Sequence, residues 1–229
     1  GTTSRQIIKL AREAGANKVY FSVPTGNFGD IFAGFIAKRM GLPIEKLILA
    51  TNANNILCRF INRGDYSIGE VHPTSSPSMD IQKASNLERY LYYLFNEDTG
   101  QLATAMADFA ATGELAFSDE QVAAIKQVFT STAVDNDQTL ATIRDFHAAT
   151  KYILDPHTAT GVKAGKDLGK GDYPVICLAT AHPAKFGAAV KQAIGTDPEL
   201  PPAFQGIDKL ERKVEVLPAM IDDVKAYVD

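Results

Sequence analysis

Apolar and polar positions alternate between two periods along this chain. Residues 18–23 form a short apolar run rich in β-formers, bounded by turn residues, and predict a strand over about 19–23. Ile31–Met40 carries a helical pattern that stops at Gly41 and Pro43. Glu45–Thr51 reads as a second strand, so 19–51 predicts a βαβ unit, parallel and right-handed. A helix is expected over Ile56–Asn62, after the polar turn Thr51–Asn55. Another is expected over Ser4–Ala14, with Ile7, Ile8, Leu10, Ala11 and Ala14 on one face.

Residues 64–80 read as loop, with Gly64, Gly69, Pro73 and Pro77. From 81 to about 152 the pattern is helical and holds hardly a strand. Segments 84–96, 99–111, 118–131 and 136–151 each space apolar residues by three and four. Ser118 and Gln121 offer a capping box for the third of these. Asp155 followed by Pro156 predicts the cap and first position of a short helix. Tyr173–Ala179 is a third buried strand, with a helix following to about Ile194. Lys213–Leu217 is expected as a last strand, before a closing helix over Ala219–Val228. The fold expected is α/β: residues 1–80 as a first part, 81–152 as a helical insertion, 153–229 as the return to the sheet.

Composition narrows the function classes. The chain has 229 residues, 45% of them hydrophobic and 22% charged, as in an ordinary globular protein. Lys and Arg number 23 against 27 Asp and Glu, and no basic patch stands out, which argues against a nucleic-acid partner. Cys58 and Cys177 lie far apart in apolar settings and read as core thiols of a reducing compartment. No apolar run reaches membrane-spanning length and no signal peptide is visible, so a cytoplasmic location without a membrane partner is expected. The chain opens Gly1-Thr2-Thr3-Ser4 without Met, as a processed, tagged or truncated product would.

The candidate chemistry sits between the first strand and its helix, in Thr25-Gly26-Asn27-Phe28-Gly29-Asp30. Two glycines three apart permit a tight turn whose N–H groups approach a ligand closely, at an open helix N-terminus suited to a phosphate. No Lys or Ser/Thr follows Gly29, which excludes a triphosphate loop, and the dinucleotide pattern is absent as well. A loop for one phosphate remains, with Asn27 as an added donor. A plain glycine turn with Asp30 capping the helix fits the same residues. Three strands end in polar turns, at 25–30, 51–55 and 180–185. Ligands of a parallel sheet bind beyond its carboxyl ends, so these turns are expected on one edge. Asn54, Asn55 and His182 are further candidates there, Asn52 reads as a turn cap, and Lys185 is kept as an anion contact. The four histidines show no metal-ligand spacing, so no metal is expected, and no nucleophile elbow is present.

Several stretches in order resemble threonine synthase of the fungal and bacterial type. They are Ser22 to Asp30 (SVPTGNFGD), Ala37 to Pro43 (AKRMGLP), Ala50-Thr51-Asn52, Pro77 to Ile81 (PSMDI), Ser85 to Arg89 (SNLER), Asp155 to Ala159 (DPHTA) and Thr180 to Phe186 (TAHPAKF). The resemblance covers about residues 19 to 195. It implies part of a tryptophan-synthase-β-like parallel sheet (pyridoxal-phosphate fold type II) with a large helical insertion. It also implies the cofactor pyridoxal 5'-phosphate, and a reaction of O-phospho-L-homoserine with water that yields L-threonine and phosphate. Gly26, Asn27, Phe28 and Gly29 resemble the loop holding the cofactor phosphate, with Asp30 beginning the helix beneath. Thr180 resembles the hydroxyl that hydrogen-bonds the pyridine nitrogen, leaving that nitrogen largely unprotonated. The family's Schiff-base Lys sits in a Ser-Phe-Lys-Asp-like motif, and nothing in this chain matches it. The resemblance therefore implies a C-terminal portion whose partner is the missing N-terminal half. The other readings are a different pyridoxal-phosphate lyase or dehydratase of the same fold, or a non-catalytic phosphate-binding domain.

Overall fold

A computed structural model describes residues 9, 12–13, 15–171 and 173–228. The helix expected over Ser4–Ala14 lies mostly outside the described residues. The chain divides into two compact units, Gly1–Pro198 and Glu199–Asp229.

In the first unit, β1 (Val19–Pro24), α1 (Gly29–Arg39) and β2 (Ile44–Thr51) form the expected βαβ unit. Next come α2 (Ile56–Arg63) and β3 (Asp65–Ser67), then the 3₁₀ turn Pro77–Met79. The helical stretch holds α3 (Leu87–Leu94), α4 (Thr99–Thr112), β4 (Glu114–Ala116), α5 (Asp119–Val128), β5 (Phe129–Ala133) and α6 (Asn136–Thr150). The chain returns through α7 (Pro156–Leu168), β6 (Val175–Cys177), the 3₁₀ turn Pro183–Phe186 and α8 (Gly187–Ile194). The second unit holds α9 (Ile221–Val228).

Four strands make one parallel sheet in the order β5-β2-β1-β6. Its central strands are buried on both faces, as parallel sheets require. Val19, Phe21, Val23, Leu47 and Leu49 face a core shared with Phe28, Ile31 and Phe35 around α1 and with α2 and α3. The alternate residues Tyr20, Ile48 and Ala50 pack with Ala164 of α7 on the other face. Here α7 lies close to the strands. A Cβ on Gly161 would stand 3.0 Å from the Pro24 ring, and one on Gly165 would stand 3.0 Å from Cys177 Sγ. The buried Ser22 hydroxyl donates to the Gly161 carbonyl at 2.5 Å, fixing the helix against β1.

Two expectations are corrected. The helix expected over 118–131 stops at Val128, and Phe129–Ala133 is the sheet's edge strand beside β2. Phe129, 1% exposed, rests against Phe28, Phe35 and Tyr90, and the Ser131 hydroxyl donates to the Leu49 carbonyl at 2.8 Å. Tertiary packing overrides the helical period there. Conversely, Lys213–Leu217 forms no strand, and Val214 and Val216 are exposed. Their alternation finds no described strand to pair with, and an unpaired strand gains no ladder. A small antiparallel ribbon also joins β3, in the stretch expected as loop, to β4, in the stretch expected as helical. The capping box of Ser118 with Gln121 and the Asp155 cap of α7 are as expected.

Candidate functional site

β1, β2 and β6 run parallel, so their C-terminal ends share one edge of the sheet. The turn from Thr25 to Phe28 leaves β1 there. Thr25 is held by its amide to the Ala50 carbonyl at 2.8 Å and by its hydroxyl to the Val23 carbonyl at 2.8 Å. The helix cap is neither a glycine nor Asp30: Phe28 stands at the N-cap in the left-handed region, φ 69°. Such a φ is costly for a bulky residue. It is held because the Phe28 ring is fully buried, 5.8 Å from the rings of both Tyr90 and Phe129. Phe28 therefore offers the turn its backbone alone.

Asn27 organises this turn. Its Oδ1 accepts the Gly29 amide at 2.9 Å, and its carbonyl accepts the Asn86 amide at 3.0 Å and Asn86 Nδ2 at 3.1 Å. Among the described residues no protein acceptor takes the amides of Gly26, Asn27 or Phe28. Those three N–H groups, with Asn27 Nδ2, stand ready for an anion at the open end of α1. Gly26 has a second reason to be glycine: a Cβ would stand 3.1 Å from Met79 Cα and 3.2 Å from the Ser78 carbonyl oxygen.

A cavity of about 240 Å³ opens at this point, lined by Gly26, Asn27, Asp30, Ser78, Met79, His157, Thr180, Lys185 and Phe186, among others. Of the residues singled out from the sequence, Gly26, Asn27, Asp30, Thr180 and Lys185 come together. Partial burial pushes the Asp30 carboxyl above its ordinary value. Asp30 and Thr180 also line a neighbouring apolar groove of about 680 Å³ between α1 and β6. Cys177 lies in that groove, where burial pushes its thiol up to about 11. Burial also raises the Cys58 thiol, so both thiols stay protonated near neutral pH.

Asn54, Asn55 and His182 do not line the cavity. Asn54 is buried, with Nδ2 donating to the His72 carbonyl at 2.8 Å and to Asp80 Oδ1 at 3.0 Å. Asn55 accepts from Arg59 at 3.3 Å, and His182 is exposed, its Nδ1 accepting the Ala184 amide at 3.2 Å. Asn52 is more than a turn cap. Its Nδ2 donates to Asp80 Oδ1 at 2.7 Å and to Thr74 Oγ1 at 2.8 Å. Asp80 also accepts the Thr74 amide at 2.9 Å. This cluster staples residues 72–80, and so carries Ser78 and Met79 to the cavity.

Ser78, Met79, His157 and Phe186 were missed as wall residues. The motifs around them were noticed, yet only the fold brings them beside Gly26. His157 Nε2 accepts the Ser78 amide at 3.1 Å, and its ring lies tilted against Phe186 with centroids 4.5 Å apart. Asp155, 1% exposed, lies behind His157. Burial alone would raise its carboxyl, but hydrogen bonds from the side chains and amides of His157 and Thr158 outweigh that and hold it below the ordinary value.

A family model described as the C-terminal part of threonine synthase matches residues 158–228. The threonine synthase of Pseudomonas aeruginosa is 43% identical over 212 residues, covering 92% of this chain and 45% of that protein. A crystal structure of pyridoxal-phosphate-bound threonine synthase from Brucella melitensis superposes with a TM-score of 0.90 at 42% identity. It covers 98% of this chain and 49% of that one. The chain belongs to the threonine synthase family. The yeast threonine synthase crystal structure agrees, with a TM-score of 0.87 at 36% identity over 97% of this chain and 49% of that one. The chain thus spans about half the length of the family members it matches. The described residues hold no cluster of three or more metal-ligating side chains, and no described helix is long and apolar enough to cross a membrane.

Proposed function

We propose that this chain is the C-terminal portion of a threonine synthase and furnishes the phosphate end of its pyridoxal-phosphate cleft. The whole enzyme would convert O-phospho-L-homoserine and water to L-threonine and phosphate. One observation carries this reading: the amides of Gly26, Asn27 and Phe28 have no protein acceptor among the described residues, and Gly26 and Asn27 line the same cavity as Thr180. Gly26 packs so closely on Ser78 and Met79 of the cavity wall that a Cβ would displace that wall.

Pyridoxal phosphate, when bound, supplies an electron sink for carbanion chemistry on an amino-acid substrate. The residues of this chain bind and orient. The three amides and Asn27 Nδ2 would take the cofactor phosphate, aided by the N-terminal dipole of α1. Lys185 adds a positive charge to the wall, which offsets the like charge of Asp30. Thr180 would offer its hydroxyl to the ring nitrogen. A hydroxyl is too weak an acid to give up its proton there, so Thr180 would orient the ring without charging it. The Lys that joins the cofactor covalently would come from the rest of the enzyme, together with the remaining walls.

Calorimetry with pyridoxal phosphate and with inorganic phosphate tests the placement. Both should bind the chain weakly, since only part of the cleft is present while the ligand's lost freedom is unchanged. Gly26→Val should abolish both. Binding undiminished by Gly26→Val would overturn the placement.

A further inference from the structure

Two walls of the cavity converge on one buried carboxylate. Asp155 Oδ1 lies 3.2 Å from His157 Nδ1, and His157 Nε2 accepts the Ser78 amide at 3.1 Å. The Thr158 hydroxyl donates to Asp155 Oδ2 and accepts the Thr180 amide at 3.1 Å. Asp155, His157 and Thr158 are all at most 4% exposed, so water does not compete for the bonds between these three residues.

Proton counting makes the carboxylate decisive. A peptide N–H can only donate, so Ser78 requires a lone pair on His157 Nε2. The proton of the neutral ring must then sit on Nδ1, facing Asp155. Thr158 has one hydroxyl proton. Given to Asp155, it leaves a lone pair for Thr180. We propose that Asp155 is a positioning residue for the pocket, fixing the Ser78 wall through the tautomer of His157 and the Thr180 wall through the hydroxyl of Thr158. Its use in catalysis rests on the reading above, that the cavity holds a phosphate-bearing cofactor. The positioning itself does not.

Asp155 also caps α7, accepting the amides of His157 and Thr158 on Oδ1 at 2.9 and 3.3 Å. Asp155→Asn separates the two oxygens, because Asn keeps one acceptor for the cap and His157 but turns a donor toward Thr158. Amide hydrogen exchange on this chain reads the result. In Asp155→Asn the Thr180 amide should exchange at least about tenfold faster, the scale of losing one buried acceptor, while the Ser78 amide keeps its rate because the oxygen facing His157 is retained. Amides of β1 and β2 should keep their rates. Thr158→Val should speed Thr180 alone, with Thr158→Ser restoring it, and His157→Phe should speed Ser78 alone. An unchanged Thr180 rate in Asp155→Asn, or equal acceleration all along α7, would overturn the proposal. Should Asp155→Asn fail to fold, nitrogen NMR of the unaltered imidazole decides. The proton must be on Nδ1, and a proton found on Nε2 refutes the arrangement. Neither readout needs the cofactor. Failure of the cofactor reading shows separately, as unaltered protein that does not bind pyridoxal phosphate.

Discussion

At the scale of single residues, Phe28 and Asp155 hold the site from behind. Phe28 accepts an unfavourable backbone conformation because its ring fills the core between Tyr90 and Phe129. Truncation removes that compensation, so Phe28→Ala should cost about 3–5 kcal/mol in denaturant unfolding, the usual range for a buried Phe. A loss below about 1 kcal/mol would mean that the ring does not hold the turn. Asp155 gives a pH signature. Its folded carboxyl lies below the ordinary value of 3.8, so its stabilisation is complete above that value. It is lost as pH falls from there through the lower folded value. Asp30 has the opposite sign: its folded carboxyl is raised, so it favours the folded chain as pH falls toward 3.8. Asp155→Asn should therefore flatten the acid limb of stability against pH, whereas Asp30→Asn should not. An acid limb unchanged by Asp155→Asn would contradict the assignment.

At the scale of elements, the cavity depends on how closely α7 approaches the sheet. Its N-terminal turn carries Asp155, His157 and Thr158, and Gly161 one turn later touches Pro24. Gly161→Val should force the helix outward, destabilise the chain by about 1–3 kcal/mol and weaken phosphate binding with it. A variant destabilised to that extent with unaltered phosphate affinity would show that the helix and the pocket are uncoupled. Much of this architecture was legible in the sequence. β1, α1 and β2 announce themselves because both faces of the sheet are buried and the turn between them has its own chemistry. Helix caps such as Ser118 and Asp155 are local and were read as such. β5 was not legible: Phe129–Ala133 follows a helical period without a break, and only long-range contacts with Phe28 and Leu49 make it a strand. The Lys213–Leu217 alternation had the reverse fault, a strand pattern without a neighbour. Within the site, Gly26, Asn27 and Thr180 lie on strand ends and could be inferred from topology. Ser78 and His157 could not, since 79 residues separate them and a single amide-to-imidazole bond joins them. Asn54 and His182 were misplaced because a polar residue near a strand end can serve a loop as readily as a ligand.

At the scale of the whole molecule, the chain spans about half of the family members it matches, and no motif in it resembles the family's Schiff-base lysine segment. On the function proposed above, this chain would supply backbone donors, Thr180 and one wall cation. Co-expression with a separate N-terminal portion of a threonine synthase, containing the missing Lys, should restore turnover if the two associate. The most direct measurement is made on the chain by itself. It is incubated with pyridoxal phosphate, reduced with borohydride and mapped by mass spectrometry, while phosphate release from O-phospho-L-homoserine is followed in parallel. No lysine should carry stoichiometric cofactor, Lys185 included, and no phosphate should be released. A single lysine of this chain labelled one-to-one, together with turnover, would contradict the proposed function.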